Sequence, residues 1–228
     1  MSTADPRETA KRAAAEAAAL LVEDGMAVGL GTGSTAAHFA RALARRAPRI
    51  RCVATSVAIE ELARSLRLPV EPFGAPDGLA RLDLAVDGAD LVAPDLWLVK
   101  GGGGAHVREK VVAAAADRFV VVVSTDKLAA AVRAPIPLEI LAFGAASTLR
   151  RLGGTLGPVE LRAGVPPSPD GGVIADYLGE VGDPAALAAA LEADPGVTGH
   201  GLFPPIMVHE VLVGDDDGTV ARLPATPS

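Results

Sequence analysis

Cysteine is almost missing from this 228-residue sequence: Cys52 stands alone, so no internal disulfide can form. No His/Cys cluster has the spacing of a zinc site, and His209-Glu210 lacks the second histidine of an HExxH motif, so the expectation is a reduced protein with no metal. Basic residues are in deficit, 21 Lys and Arg against 28 Asp and Glu. The resulting net charge of -7 leaves no electrostatic footprint for nucleic acid or an anionic membrane surface. Any anionic ligand must therefore be held by a local site. Long apolar runs are missing too: nothing approaches the roughly 20 residues needed to span a bilayer. The alanine-rich N-terminal stretch is interrupted by Glu16, Glu23 and Asp24 and has no secretory-signal centre, which makes the cytoplasm the expected compartment.

What is present is a hydrophobic half of the chain, enough for one large core or a large and a small one. "DPRETAKRAAAEAAALLVEDG" reads as a helix with Asp5 as cap, Pro6 in its first position, Glu8 completing a capping box and Gly25 at its end. "MAVGLGTGST" reads as a buried strand running into a glycine-rich turn, and the following residues have helical spacing. "IRCVATS" and "VAIEELARSLRL" repeat the scheme, and "LDLAVDGAD" and "RFVVVVSTDK" add strands. This alternation predicts a Rossmann-like, mainly parallel sheet flanked by helices, over residues 1–133 and 203–228. The short link from "LAVD" to "LWLVK" is too brief for a parallel crossover and must be a hairpin or an extended excursion over the sheet edge. Over residues 134–202 the order becomes βαββαβ, that of a smaller ferredoxin-like α+β subdomain, with "GVTGHGLF" as its last strand. "IMVHEVLVG" and "TVARL" form a hairpin that returns to the first sheet, and the tail "PATPS" reads as unstructured.

In "GLGTGSTAAH", Gly31, Gly33 and Ala36 match GxGxxA, but the next strand ends in "VATS" with no acid for a ribose, which counts against NAD. Thr32, Gly33, Ser34 and Thr35 instead combine hydroxyls with the open N–H groups of a helix start, a combination suited to a phosphate monoester. "DGAD" places Asp87, Gly88, Ala89 and Asp90 at another strand end. "KGGGG" places Lys100 before a backbone of Gly101, Gly102 and Gly103 that can approach a ligand closely. Glu109 follows within the first turn of a helix; by position alone it is a surface acid paired with Arg108 or Lys110.

"GLGTGST", "DGAD", "KGGGGAHVREK" and "STDK", in this order and spacing, strongly resemble ribose-5-phosphate isomerase of type A, and the likeness extends over nearly the whole chain. The resemblance implies an aldose-ketose isomerase that interconverts ribose 5-phosphate and ribulose 5-phosphate through a cis-enediolate. It implies a substrate touching Thr32 to Thr35, Asp87 to Asp90, Lys100 to Gly103 and Lys127, with Lys11 also near the phosphate. Glu109 is then the proton acceptor, with Lys100 and Asp87 as its catalytic companions. It further implies no cofactor or metal and a homodimer or dimer-based tetramer. The alternative class is a non-catalytic sugar-phosphate sensor of similar fold.

Overall fold

The structure is a computed structural model that describes residues 5–74 and 78–224. In chain order its elements begin with α1 (Pro6–Ala19), β1 (Ala27–Leu30), α2 (Ser34–Arg46), β2 (Arg51–Ala54), α3 (Val57–Ser65) and β3 (Leu84–Asp87). The short strands β4 (Leu91–Val92) and β5 (Leu98–Val99) follow, then α4 (His106–Ala114), β6 (Phe119–Ser124), β7 (Ile136–Ile140) and α5 (Ala145–Thr155). The remainder is β8 (Val159–Leu161), β9 (Val173–Tyr177), α6 (Pro184–Glu192), β10 (Val197–His200), β11 (Leu202–Phe203), β12 (Glu210–Gly214) and β13 (Val220–Pro224). The chain divides into two compact units, one of residues 1–89, 108–128 and 206–228, the other of residues 90–107 and 129–205.

The first unit is built on a six-stranded sheet of order β13-β12-β6-β3-β1-β2, parallel except for the β12-β13 hairpin at its edge. Parallel strands are covered on both faces, which is why β6 is the uninterrupted run Phe-Val-Val-Val-Val-Ser, buried throughout. Ala14, Ala15, Ala18, Phe39 and Leu43 of α1 and α2 share one core with Val28, Leu30, Val120, Val122 and Leu212 of the sheet. The alanine face lets α1 lie close to its neighbours: a Cβ on Gly214 would come within 2.0 Å of the Ala10 carbonyl oxygen. From β1 the chain moves through α2 to β2 on one side, while β3 lies on the other. The carboxyl ends of β1 and β3 therefore flank a topological switch point, the place where open α/β sheets bind ligands.

The second unit contains a four-stranded antiparallel sheet of order β10-β7-β9-β8, with α5 and α6 in the connections. This is the ferredoxin-like arrangement, packed around Ile136, Leu138, Ile140, Leu152, Tyr177 and Leu191. The short link read as hairpin or excursion is a hairpin of β4 and β5, joined by β11 in a three-stranded sheet. The run "GVTGHGLF" is not one strand. It breaks at Gly201: β10 before it pairs with β7, and β11 after it pairs with β5. Gly201 donates to the Pro137 carbonyl at 2.7 Å and accepts from Lys100 N–H at 2.9 Å, and a Cβ there would lie 2.1 Å from the Lys100 carbonyl oxygen. Only glycine allows one strand to serve two sheets at that crossing.

Two local readings change. Asp5 caps α1 by accepting from Arg7 N–H at 3.0 Å, but the helix stops at Ala19 and Gly25 lies in the turn before β1, donating to the Arg49 carbonyl. Glu8 does not close a capping box; its carboxylate meets Lys11 Nζ at 2.7 Å and His38 Nε2 at 2.9 Å, tying α1 to α2. Of the tail read as unstructured, Pro224 belongs to β13 and residues 225–228 lie outside the described residues. Among the described residues no helix is long and apolar enough to cross a membrane.

The hydrogen bond from Lys11, followed by that from His38, holds the Glu8 carboxyl down at about 2, against an ordinary 4.5. Its stabilising contribution is complete above the unfolded value and is lost as pH falls from about 4.5 toward 2. Thermal unfolding of Glu8→Gln is therefore expected to show a lower Tm than the parent at pH 7, with the gap closing as pH drops to 2. A gap that stays constant over that range would show that ionisation of Glu8 plays no part.

Candidate active site

At the switch point of the first unit, the turn after β1 and the end of β3 are locked together. Asp87, only 3% exposed, accepts from Thr32 N–H at 3.0 Å and Gly88 N–H at 2.7 Å through the same oxygen, Oδ1. Gly31 is required by that approach, since a Cβ there would sit 2.0 Å from Asp87 Oδ1. Gly31→Ala is therefore expected to push the Asp87 carboxylate from its seat and to shift the backbone amide resonances of Thr32 and Gly88, with the far-ultraviolet spectrum unchanged. Parent-like Thr32 and Gly88 resonances in that variant would mean that the carboxylate keeps this seat.

Thr55, at the end of β2, donates its hydroxyl to the Leu30 carbonyl at 3.1 Å and lies 2.7 Å from the Thr32 hydroxyl. With its one proton so placed, Thr55 receives the bond from Thr32, and the side chain of Thr32 becomes part of the turn's internal bracing. The helix α2 then starts at Ser34 behind Gly33, whose φ of 104° lies in the left-handed region and whose missing side chain leaves the helix start without a side-chain cap. The hydroxyls of Ser34 and Thr35 stand at this uncapped start, where the positive end of the helix dipole lies.

The loop of the second unit begins at Lys100, which is 3% exposed and carries its Nζ 5.4 Å from the centre of the Phe203 ring. The glycines after it are not slack. Gly101 has φ 104°, and a Cβ on it would lie 2.6 Å from Nδ1 of the fully buried His106. Gly104 N–H closes a turn onto the Gly101 carbonyl at 3.0 Å, and Gly102 N–H donates to Asp90 Oδ2 at 2.7 Å. Asp90 is thus committed to the backbone of this loop. Arg162, just past β8, donates to the carbonyls of Gly101 and Gly102 from the other side, both at 2.9 Å.

Glu109 stands in the first turn of α4 and is 5% exposed, so the surface-acid reading fails. Packing, not position in the helix, put it inside. Lys127 lies in the 3₁₀ turn Thr125–Lys127 after β6, next to Asp126, whose carboxyl the Ser124 hydroxyl holds below its usual range. Lys11 points to Glu8 of its own helix. Burial pushes the Cys52 thiol up to about 12, which keeps it protonated and unreactive. Sequence alone gives no site role to Thr55, His106, Arg162 or Phe203. Thr55 has a visible signal in the polar strand end "VATS" and His106 lies within "KGGGGAHVREK"; Arg162 and Phe203 have none.

A doubly wound sheet with a glycine-rich turn and an anchored aspartate at its switch point has the architecture of small-molecule-binding α/β proteins. A family model, described as ribose 5-phosphate isomerase A (phosphoriboisomerase A), matches residues 51–218. Ribose-5-phosphate isomerase A of Caulobacter vibrioides is 46% identical over 94% of this chain and 97% of its own. Among solved structures, ribose 5-phosphate isomerase A from Neisseria gonorrhoeae superposes with a TM-score of 0.89 at 30% identity, covering 97% of this chain and 98% of the other. A D-ribose-5-phosphate isomerase in complex with phospho-erythronic acid gives 0.86 at 32% identity, covering 94% and 97%. The chain belongs to the ribose 5-phosphate isomerase A family.

Proposed function

We propose that this protein interconverts D-ribose 5-phosphate and D-ribulose 5-phosphate, with Glu109 as the base that moves a proton between C2 and C1. The observation that carries the reading is the burial of three ionisable side chains, Glu109, Lys100 and Asp87, at 5, 3 and 3% exposure, in a chain of this family. Burying a charged side chain is costly unless something uses or compensates it, and strongly buried acids and bases concentrate at reacting sites. The phospho-erythronic acid bound by the related isomerase supports the same chemistry: a carboxylate at one end and a phosphate at the other mimic a cis-enediolate held by its phosphate.

On this reading the phosphate rests on Gly33, Ser34 and Thr35, in a turn that Thr32 braces from behind, with Lys127 and Lys11 supplying positive charge. Lys11 contributes after sharing or releasing Glu8. The grip on this remote group holds the reacting carbons in place, so binding energy is spent on orientation. Glu109 takes the C2 proton as the aldehyde oxygen becomes negative, and Lys100 and loop N–H groups stabilise that oxygen. Glu109, its proton exchanged with solvent, then delivers a proton to C1 to give the ketose. Asp87 helps pass a proton between the two oxygens, whereas Asp90 shapes the loop through Gly102. No step requires a metal, and turnover is expected to persist in EDTA. The enzyme works in the cytoplasm, where a lone thiol stays reduced, and as a homodimer or dimer-based tetramer; light scattering after size exclusion is expected to give two or four chain masses.

The test is an NMR time course of purified protein with ribose 5-phosphate. Appearance of ribulose 5-phosphate supports the reading. Calorimetric binding with no conversion would instead make the protein a sugar-phosphate sensor.

A further inference from the structure

We infer that Arg162 is a positioning residue that sets the orientation of the glycine-loop peptides, and with them the direction in which the Gly103 N–H points. This deepens the isomerase reading and rests on it. Arg162 carries out two tasks with one planar group. Its Nε and Nη2 form a fork onto Asp176 of β9, at 2.8 and 2.5 Å, while Nη1 donates to the carbonyl oxygens of Gly101 and Gly102. The side chains of Arg162 and Asp176 are 18 and 17% exposed. The Asp176 hydrogen bonds raise the guanidinium pKa further above its ordinary range, so the charge is permanent.

The consequence follows from peptide geometry. A trans peptide sets its C=O and N–H on opposite sides of the chain. With the Gly101 carbonyl on Arg162, the N–H of the same peptide, that of Gly102, faces the other way and is found on Asp90. The next peptide has its carbonyl, that of Gly102, on the same guanidinium, so the Gly103 N–H is turned away from Arg162. Gly102 and Gly103 are exposed, whereas Lys100, Gly101 and His106 on either side are buried. The loop is thus fastened at its roots and by its carbonyls, with one N–H presented at the tip. A tetraglycine segment has no side chains with which to fix its own peptide planes, and an external fork does so without occupying the presented face.

The experiment compares Arg162→Lys, Arg162→Ala and Asp176→Asn with the parent in two measurements. Amide hydrogen exchange of Gly102 and Gly104, whose N–H groups are bonded to Asp90 and to the Gly101 carbonyl, is expected in the ligand-free protein to quicken by about tenfold or more in all three, since the constraint on the loop is gone. Steady-state isomerisation is expected to show kcat about 10- to 100-fold lower with KM changed by less than about threefold, the signature of a misplaced donor. Arg162→Lys keeps the charge but not the fork, so it should fall with the others. Millimolar guanidinium should restore part of the kcat of Arg162→Ala. Parent-like exchange and kcat in Arg162→Lys and Asp176→Asn would overturn the proposal, as would a lowered Tm with kcat per folded molecule unchanged. A parent protein that does not isomerise at all would overturn the isomerase reading instead, and the exchange rates would still decide whether Arg162 holds the loop.

Discussion

Glu109→Gln is expected to lose at least about a hundredfold in kcat while still binding ribose 5-phosphate, since general base catalysis contributes about 10² to 10⁴ in rate. The substitution replaces one carboxylate oxygen by NH₂ at nearly constant volume, so the 5% exposed pocket in the first turn of α4 keeps its packing. What disappears is the ability to accept a carbon-bound proton. KM is expected to stay within a few-fold, because the proposed phosphate contacts lie at the turn after β1 and not on Glu109, and calorimetry should still record saturable binding. A variant that binds and turns over like the parent would remove Glu109 from the reaction. One that neither binds nor keeps its Tm would indicate a structural role.

Lys100→Met is expected to lower kcat by about 10² to 10³, the equivalent of roughly 2.7 to 4 kcal/mol for one lost oxyanion donor. A flexible apolar chain of similar length keeps the packing beside the Phe203 ring, so the far-ultraviolet spectrum is expected to stay parent-like. Should Lys100→Met keep the parent's activity per folded molecule, the ammonium would have no part in the reaction.

The sequence made much of this architecture readable because local pattern and tertiary outcome agree. The alternation from β1 to α3, the apolar run of β6 and the βαββαβ order from β7 to β10 each follow from periodicity over a few residues. The switch-point cluster was readable for the same reason: "GTGST" and "DGAD" each follow a buried strand, and parallel strands bring their carboxyl ends to one edge of the sheet.

The missing parts depend on contacts far apart in the chain. GxGxxA spacing does not reveal that Gly31 exists to let Asp87 approach, 56 positions away in sequence. Nor does "GVTGHGLF" show that Gly201 passes one strand between two sheets, since that is decided by Pro137 and Lys100. Burial of Glu109 required knowing which face of α4 is covered, and its charged neighbours Arg108 and Lys110 argued for the opposite. Arg162 carried no signal because its partners are two backbone carbonyls about 60 residues upstream and an aspartate across the β8-β9 pair.

The most direct test of the central claim is isomerisation of ribose 5-phosphate in D₂O, followed by NMR. Proton transfer through an enediolate on Glu109 predicts solvent deuterium at C1 of the ribulose 5-phosphate formed, and its disappearance together with turnover in Glu109→Gln. Quantitative retention of the original C2 hydrogen at C1, with Glu109→Gln as active as the parent, would contradict it.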